Sequence, residues 1–425
     1  MLDRTIPPKI HPIGNLVLPV PTTELLDNGA TLRVLDSGTQ DLNQLFLLWP
    51  GGMVEARTAS VANLTGALLR EGVKGMTGAE MSEALDFRGA IHRNEVAEHY
   101  SILAFASVNS LADGLFDLIS RMVETPTFDE HALEIYKEKA VKTNLINNSK
   151  VATLSQQALQ PMIQGSDNPL ARVETPADIE SITRSDIVDF HRSVYTASGC
   201  IALLGGRITD KIYGQVKDML LAMQSSSPAM PLVKCPYHAE GPGEVFVEKA
   251  GALQNSVRIA LPAPERKNPD YLPLRFAVTA LGGYFGSRLM KNIREDKGYT
   301  YGIQAYLLGG IDGSYISISA QTDPAYQRPL IDETAKEMER MATEPLDADE
   351  MERVKQFVSM SIIDTLDSPL SVMDYYKTMR VAGFPPDYFT RQVELVHTIT
   401  PEMIMAMAKK YFDPRQMRIA IAGVK

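Results

Sequence analysis

Arg294 and Tyr301 are two side chains of types that can take part in chemistry, and they lie seven residues apart. Arginine presents a fixed positive charge on a planar fork, and tyrosine adds a directional hydroxyl donor. Two such donors can stabilise an oxygen atom that gains negative charge. Gly298 lies between them and permits a tight turn from a helix to a strand, so the two tips can converge. Taken alone, the spacing is more typical of an arginine paired with a neighbouring acid and a tyrosine packed at a strand start.

Histidine and cysteine positions give no pattern that is typical of a metal site. No two of the seven histidines are three to five residues apart. The dense cluster from His92 to His99 would place its two ends on opposite faces of a strand, because an odd number of residues separates them. Polar solvent faces of strands explain that cluster better than a metal. Cys200 and Cys235 lie in unrelated contexts, which excludes a disulfide scaffold and a cysteine zinc site.

The composition excludes further function classes. The 425 residues carry 42 Lys and Arg against 52 Asp and Glu, a formal net charge of −10. No run of four cationic residues occurs, so the chain lacks the footprint by which nucleic-acid binders displace counterions. The N-terminal residues contain no apolar signal region, and no later stretch approaches the roughly 18 apolar residues of a membrane span. We therefore expect a cytoplasmic protein that binds neither nucleic acid nor membrane.

An internal repeat with a period of about 216 residues organises the chain. The segments 185–195 (SDIVDFHRSVY) and 401–411 (PEMIMAMAKKY) both predict amphipathic helices that end on tyrosine, and each precedes a short strand that ends in glycine. In the middle of each half, a strand at 100–106 or 314–320 precedes two helices. The repeat predicts an α+β fold of two related halves, each a mixed or antiparallel sheet covered by helices on one face.

A change in composition marks the boundary between the halves. Residues 225–243 (SSSPAMPLVKCPYHAEGPG) contain three serines, four prolines and two glycines and show little periodicity. We therefore predict an N-terminal half over 1–222, a linker over 223–243 and a C-terminal half over 244–425. The four prolines favour restricted motion between the halves.

The C-terminal half contains a motif that resembles a known family. The run Leu281–Leu289 (LGGYFGSRL) is followed by Ile293–Tyr301 (IREDKGYTY). This order of a Gly-Gly turn, a Ser-Arg-Leu helix and a tyrosine seven residues after an arginine is similar to the second half of the insulinase-like (pitrilysin) metallopeptidases, which include the mitochondrial processing peptidases. Arg288 and Lys291 are expected on a solvated face of that helix. The resemblance implies two chains that close around a chamber for unfolded peptides.

In that family, zinc is bound in the first half by an inverted H-x-x-E-H motif on a helix and by a glutamate further downstream. The equivalent helix here is SVANLTGALLRE, which places Asn63, Gly66 and Ala67 at the His, Glu and His positions. The downstream glutamate falls at Asn144. We expect no metal and no cofactor in this chain, because none of these side chains replaces imidazole or carboxylate.

The resemblance therefore implies a division of roles between two chains. A related partner chain would bind zinc through H-x-x-E-H, and this chain would supply Arg294 and Tyr301 to the scissile carbonyl during peptide hydrolysis. Gly282 and Gly283 would belong to the same peptide-binding surface. This chain alone would hydrolyse nothing, although its pair would act as a metalloendopeptidase. The alternative is a non-enzymatic homodimer of the same fold that binds peptides or acts as a scaffold.

Overall fold

The computed structural model describes residues 14–224 and 228–425. The strands are β1 (Thr22–Leu25), β2 (Thr31–Asp36), β3 (Leu42–Pro50), β4 (Gly72–Val73), β5 (Met76–Thr77), β6 (Ile91–Val96), β7 (Tyr100–Val108), β8 (Ile201–Gly206), β9 (Gly243–Glu248), β10 (Asn255–Pro262), β11 (Thr300–Gly309), β12 (Ser314–Thr322) and β13 (Arg418–Gly423). The α-helices are α1 (Ala59–Leu68), α2 (Gly78–Phe87), α3 (Leu115–Glu124), α4 (Glu130–Asn148), α5 (Val151–Gln164), α6 (Pro176–Glu180), α7 (Arg184–Val194), α8 (Asp210–Ala222), α9 (Tyr271–Val278), α10 (Gln327–Thr343), α11 (Ala348–Asp364), α12 (Pro369–Ala382), α13 (Tyr388–Thr398) and α14 (Pro401–Tyr411).

Two mixed sheets follow the internal repeat. The first has the strand order β1-β2-β8-β3-β7-β6, and the second has the order β9-β13-β10-β12-β11. Each contains one parallel pair, β2 with β8 and β9 with β13, among antiparallel neighbours. The edge strand β6 of the first sheet therefore corresponds to the edge strand β11 of the second. The predicted α+β class with helix-covered sheets is confirmed.

The two tyrosine-ended helices begin at equivalent caps. Thr183 accepts a hydrogen bond from the backbone N–H of Asp186 at the start of α7, and the Asp186 side chain bonds back in a capping box. Thr400 caps α14 through its own side chain, and Pro401 occupies the first turn, where its missing N–H costs nothing. Tyr195 ends α7 against Trp49, with 4.8 Å between ring centroids. The two predicted helices are confirmed, with α14 at its predicted ends and α7 one residue earlier than predicted at each end, so that Tyr195 follows α7 as its C-cap.

Each half also contributes one helix to the sheet of the other half. Leu159 and Ile163 of α5 pack against Ala260, Tyr315 and Ala420 of the second sheet. In the reverse direction, α12 packs Val372 and Met373 against apolar side chains of the first sheet, namely Leu35, Phe46, Leu48, Ile102 and Leu203. Burial of this apolar surface stabilises the contact between the halves.

The predicted domain boundaries stay a prediction. Residues 1–13 of the predicted N-terminal half and residues 225–227 of the predicted linker lie outside the described residues. Within the part of the chain that the structure describes, no helix is both long enough and apolar enough to cross a bilayer.

Candidate functional site

Two short π-helical segments frame the predicted Arg-Tyr site. Thr279–Gly283 continues α9, and Met290–Asp296 carries Arg294. Such segments are rare and are often found at functional sites. Gly282 lies against β11, where a Cβ on Gly282 would come within 2.8 Å of the backbone nitrogen of Ala305. A residue without a side chain is therefore required for this close contact between helix and strand.

Gly298 ends the second π-helical segment and turns the chain into β11. Its φ of +66° lies in the left-handed region that glycine adopts most readily. The N–H of Lys297 donates to the carbonyl of Asn292, and the N–H of Tyr299 donates to the carbonyl of Ile293. The first bond has the i→i−5 spacing of a π-helix, and the second bond spans the turn at Gly298. The predicted turn at Gly298 is confirmed.

Tyr301 lies in an irregular part of β11. The register between β11 and β12 shifts between Thr300 and Ile303, so β11 has one extra residue at this point. A β-bulge redirects side chains and is common beside active sites. Tyr301 is 90% exposed. Among the described residues its hydroxyl has no hydrogen-bond partner. The fold therefore leaves this phenol available to another molecule.

The guanidinium of Arg294 lies directly beside Tyr301. Its Nε donates to the backbone carbonyl of Tyr301 at 2.9 Å. Its Cζ stands 4.6 Å from the ring centroid of Phe285, which is itself 63% exposed. Glu295 lies at 4.0 Å from Nη1, the outer limit of an ion pair. A carbonyl and an aromatic ring thus orient Arg294, and its remaining N–H groups can donate to a ligand.

The two glycines predicted to contact substrate have packing neighbours in the structure. Gly282 is buried against β11, and a Cβ on Gly283 would come within 3.2 Å of the Thr279 side chain. Gly283 also lines a cavity of about 500 Å³ that is rich in aromatic side chains. The role of both glycines in peptide binding stays a prediction.

Arg288 is buried, so the prediction that it lies on a solvated helix face was wrong. Its Nε and Nη2 donate to the two carboxylate oxygens of Glu350 at 3.1 and 2.9 Å, and it is 4% exposed. Burial opposes ionisation of Glu350, but the hydrogen bonds from Arg288 outweigh burial and lower the pKa of Glu350. This bidentate pair ties the Ser-Arg-Leu segment to the start of α11. Lys291 is exposed, as predicted.

The helix α1 is the one that the sequence resemblance aligns with the zinc-binding helix of the insulinase-like peptidases. A Cβ on Gly66 would lie 2.1 Å from Oδ1 of Asn94 on β6. The amide of Asn94 therefore occupies the space that the glutamate of H-x-x-E-H would need. Its nitrogen donates to the backbone carbonyl of Asn63 at 3.3 Å, which holds the amide against the helix. Packing of Asn94 against α1 therefore leaves no room for a larger side chain at position 66.

Two of the other three positions of the predicted ligand set have side chains that bond to nearby backbone carbonyls. The exposed Asn63 donates its side-chain amide to Ala59 of its own helix at 2.9 Å. Asn144 donates to the backbone carbonyl of Glu174 at 2.9 Å. Within residues 14–224 and 228–425, no group of three His, Cys, Asp or Glu side chains is placed to hold a metal ion. Zinc does not fit the described residues of α1 and α4.

The histidine cluster noted in the sequence joins the two halves. His99 lies with Nδ1 at 2.7 Å from Glu55 and with Nε2 at 2.6 Å from Asp312 of the second half. The three side chains are 1%, 2% and 7% exposed. Glu55 also accepts the backbone N–H groups of Gly52 and Val233. A solvent-face role was therefore wrong for His99, whose partner Asp312 lies 213 residues downstream.

Burial and hydrogen bonding shift the pKa values of the side chains in and around this cluster. Burial disfavours the imidazolium of His99, but the bonds to Glu55 and Asp312 outweigh burial and raise the pKa of His99. Burial also opposes the Glu55 carboxylate, but its bonds to His99 and to two backbone amides lower the pKa of Glu55. Glu98, which borders the cluster, has a pKa that burial raises. At the other end of β6, burial and the charge of Arg70 lower the pKa of His92 to about 4.

The sequence and the two-half fold of this chain are similar to those of known peptidase-like proteins. Residues 181–358 match the family described as Peptidase M16 inactive domain. The chain is 22% identical over 364 residues to the uncharacterized zinc protease YmxG of Bacillus subtilis, covering 82% of this chain and 83% of that protein.

Solved structures with low sequence identity share the fold. A peptidase M16 inactive domain from Pseudomonas fluorescens superposes with a TM-score of 0.86 at 21% identity, covering 95% of this chain and 98% of that chain. A protease from Helicobacter pylori gives 0.85 at 16% identity, covering 95% of this chain and 100% of that chain. Residues 181–358 are thus similar to M16 inactive domains, and the predicted resemblance to the insulinase-like peptidases is confirmed.

Proposed function

We propose that this chain is the non-catalytic subunit of a pitrilysin-type zinc peptidase. It pairs with a related chain that carries H-x-x-E-H and zinc, and it supplies Arg294 and Tyr301 to the scissile carbonyl of a peptide held between the two chains. The observation that carries the proposal is Tyr301, a phenol that is 90% exposed in a β-bulge, with a guanidinium hydrogen-bonded to its own carbonyl. Neither group is needed to build the sheet.

The chemistry of the pair follows from the charge that develops on the peptide. Zinc bound by the partner chain would supply an activated water as the nucleophile. When water adds to the carbonyl carbon, the carbonyl oxygen gains negative charge. The hydroxyl of Tyr301 and the free N–H groups of Arg294 then donate to an oxyanion rather than to a neutral oxygen, so their bonds are stronger in the transition state. The closed site at α1 supports a role without zinc in this chain.

The test compares this chain alone with a mixture that contains an H-x-x-E-H chain from the same genome. Cleavage of quenched fluorescent peptides is measured as kcat/KM. We expect no cleavage by this chain and cleavage by the mixture. Arg294→Ala or Tyr301→Phe in the mixture should lower kcat/KM about 100- to 1,000-fold, the usual cost of losing one oxyanion donor. Exposed control variants, Arg415→Ala and Tyr326→Phe, should leave it unchanged.

Two outcomes would contradict the proposal. Cleavage by this chain alone with stoichiometric zinc, abolished by a chelator, would show that a metal site exists here. Formation of the mixed complex without any cleavage, or cleavage that does not depend on Arg294 and Tyr301, would instead favour the non-enzymatic peptide-binding or scaffold role. Size-exclusion chromatography of the chain alone separates a homodimer from a chain that awaits its partner.

A further inference from the structure

A polar cavity of about 360 Å³ opens beside Tyr301 on the surface of the second sheet. The strand register defines its floor, because Ser319 of β12 lies opposite both Arg258 of β10 and Gln304 of β11. These three residues therefore form one row across three strands, about 10 Å wide at the usual strand spacing. The helix α5 of the first half forms a further wall through Ala152.

The lining of this cavity carries one charge. The groups around Arg258 are amides, hydroxyls and small side chains, and none of the described residues that line the cavity is acidic. In residues 14–224 and 228–425, no carboxylate oxygen lies within 4.0 Å of the Arg258 guanidinium. Among those same residues, its one hydrogen bond runs from Nε to the carbonyl of Ala152 at 3.4 Å. The Arg258 side chain is half-buried, and this burial lowers the pKa of Arg258.

A half-buried guanidinium with no counterion and with free donors favours an anionic ligand. We infer that this cavity binds a carboxylate of the peptide substrate and that Arg258 selects it, with Gln304 and Ser319 as neutral donors beside it. The inference rests on the proposed function, because it is the Tyr301 contact that places a peptide at the mouth of the cavity. The carboxylate belongs either to an acidic side chain or to the C-terminus of the peptide.

The test measures equilibrium binding of labelled peptides to the full chain by fluorescence anisotropy. Two pairs of peptides distinguish the two sources. The first pair has one sequence and ends in a free C-terminal acid or in an amide. The second pair ends in an amide and differs only in carrying glutamate or glutamine at one position. We expect one or both carboxylate peptides to bind about tenfold or more tightly than their neutral counterparts, the size typical of a hydrogen bond to a charged group. The variant Arg258→Gln should remove that difference.

Two further variants keep the inference open to refutation. Arg328→Gln removes another arginine, which pairs with Glu244 at the surface, and should retain the preference. Gln304→Glu places a carboxylate in the same cross-strand row as Arg258 and should abolish the preference even if Arg258→Gln fails to fold. Equal binding of all four peptides, or a preference that survives both Arg258→Gln and Gln304→Glu, would overturn the inference.

These outcomes are separable from failure of the proposed function. A carboxylate preference that depends on Arg258, with no cleavage in any mixture, would refute the oxyanion role and leave the cavity assignment standing. Cleavage that depends on Arg294 and Tyr301, with no carboxylate preference, would refute the cavity assignment alone.

Discussion

Two polar regions of this chain resemble reactive sites in sequence and differ completely in their surroundings. His99 and its two carboxylates are at most 7% exposed, and both ring nitrogens are hydrogen-bonded. Tyr301 is 90% exposed and its hydroxyl is unpaired within the described part of the chain. The first region satisfies its hydrogen bonds inside one chain, whereas the second leaves an exposed donor without a partner among the described residues.

The difference shows how to separate structural from functional polar groups. A buried polar group that is fully hydrogen-bonded has a structural role, because its partners avoid the several kcal/mol that an unpaired buried group would cost. An exposed phenol in a β-bulge gains little for the folded state. Its position, beside an oriented guanidinium, is therefore better explained by an external contact. This contrast leads to four predictions about stability, in decreasing order of expected effect.

The largest effect should come from breaking the buried cluster. Replacing His99 with leucine leaves the carboxylates of Glu55 and Asp312 buried without their shared partner. We expect His99→Leu to lower the free energy of unfolding by about 3–5 kcal/mol, as is typical when one member of a buried ion pair is removed. Urea denaturation checks this value, with the exposed His131→Leu as the control. A loss below about 1 kcal/mol would show that the cluster is not structural.

A smaller effect is expected where packing has closed the α1 site. The variant Gly66→Glu restores one residue of the lost motif but pushes its Cβ into the amide of Asn94. We expect a loss of about 1–3 kcal/mol from overpacking. Asn94→Ala in the same chain should recover most of that loss, because it removes the amide that blocks the space. If Gly66→Glu alone is neutral in urea denaturation, the α1 site is not closed by Asn94.

The buried cluster should also make the stability of the junction between the halves depend on pH. Below pH 6.5 the raised pKa of His99 contributes its full stabilisation, and this is lost as pH rises through the folded-state pKa of His99. The lowered pKa of Glu55 contributes above pH 4.5 and is lost as pH falls through its folded-state pKa. A tenfold change in proton affinity on folding corresponds to about 1.4 kcal/mol of stability. Maximum benefit therefore lies between pH 4.5 and 6.5.

The measurement is the difference in unfolding free energy between the wild type and His99→Gln across pH. His92 and His191, each with a pKa lowered to about 4, destabilise the fold as pH falls below 6.5 in both proteins, so the difference removes their effect. A difference that is independent of pH would contradict the coupling of His99 to its carboxylates.

Local and repeated patterns made much of the fold predictable. The tyrosine-ended helices and the glycine-ended strands β8 and β13 follow from periodicity within about a dozen residues, and the repeat confirms each from its counterpart. The turn at Gly298 was predictable for the same reason, since left-handed φ favours glycine. The approach of Arg294 to Tyr301 follows from that turn.

Long-range pairings were not predictable from the sequence alone. The burial of Arg288 depends on Glu350, which lies 62 residues downstream on another helix. The Glu55, His99 and Asp312 cluster unites residues of both halves, and no local pattern indicates which acids meet a given histidine. The packing of α5 on the second sheet and of α12 on the first sheet also depends on contacts between residues that are far apart in the sequence. The Arg258 cavity depends on the register of three strands, which periodicity leaves undetermined.

The smallest expected effect is the most informative about Tyr301. If the phenol exists for an external contact, Tyr301→Phe should change the free energy of unfolding by no more than about 0.5 kcal/mol, as for an ordinary surface substitution. The matched control is Tyr136→Phe, which removes a half-buried hydroxyl that donates to Glu71 at 2.6 Å and should cost more. Equal losses for the two variants would mean that Tyr301 supports the fold, and the contrast with the buried cluster would disappear. A stable Tyr301→Phe that has lost peptide cleavage in the mixed assembly would place the hydroxyl in function alone.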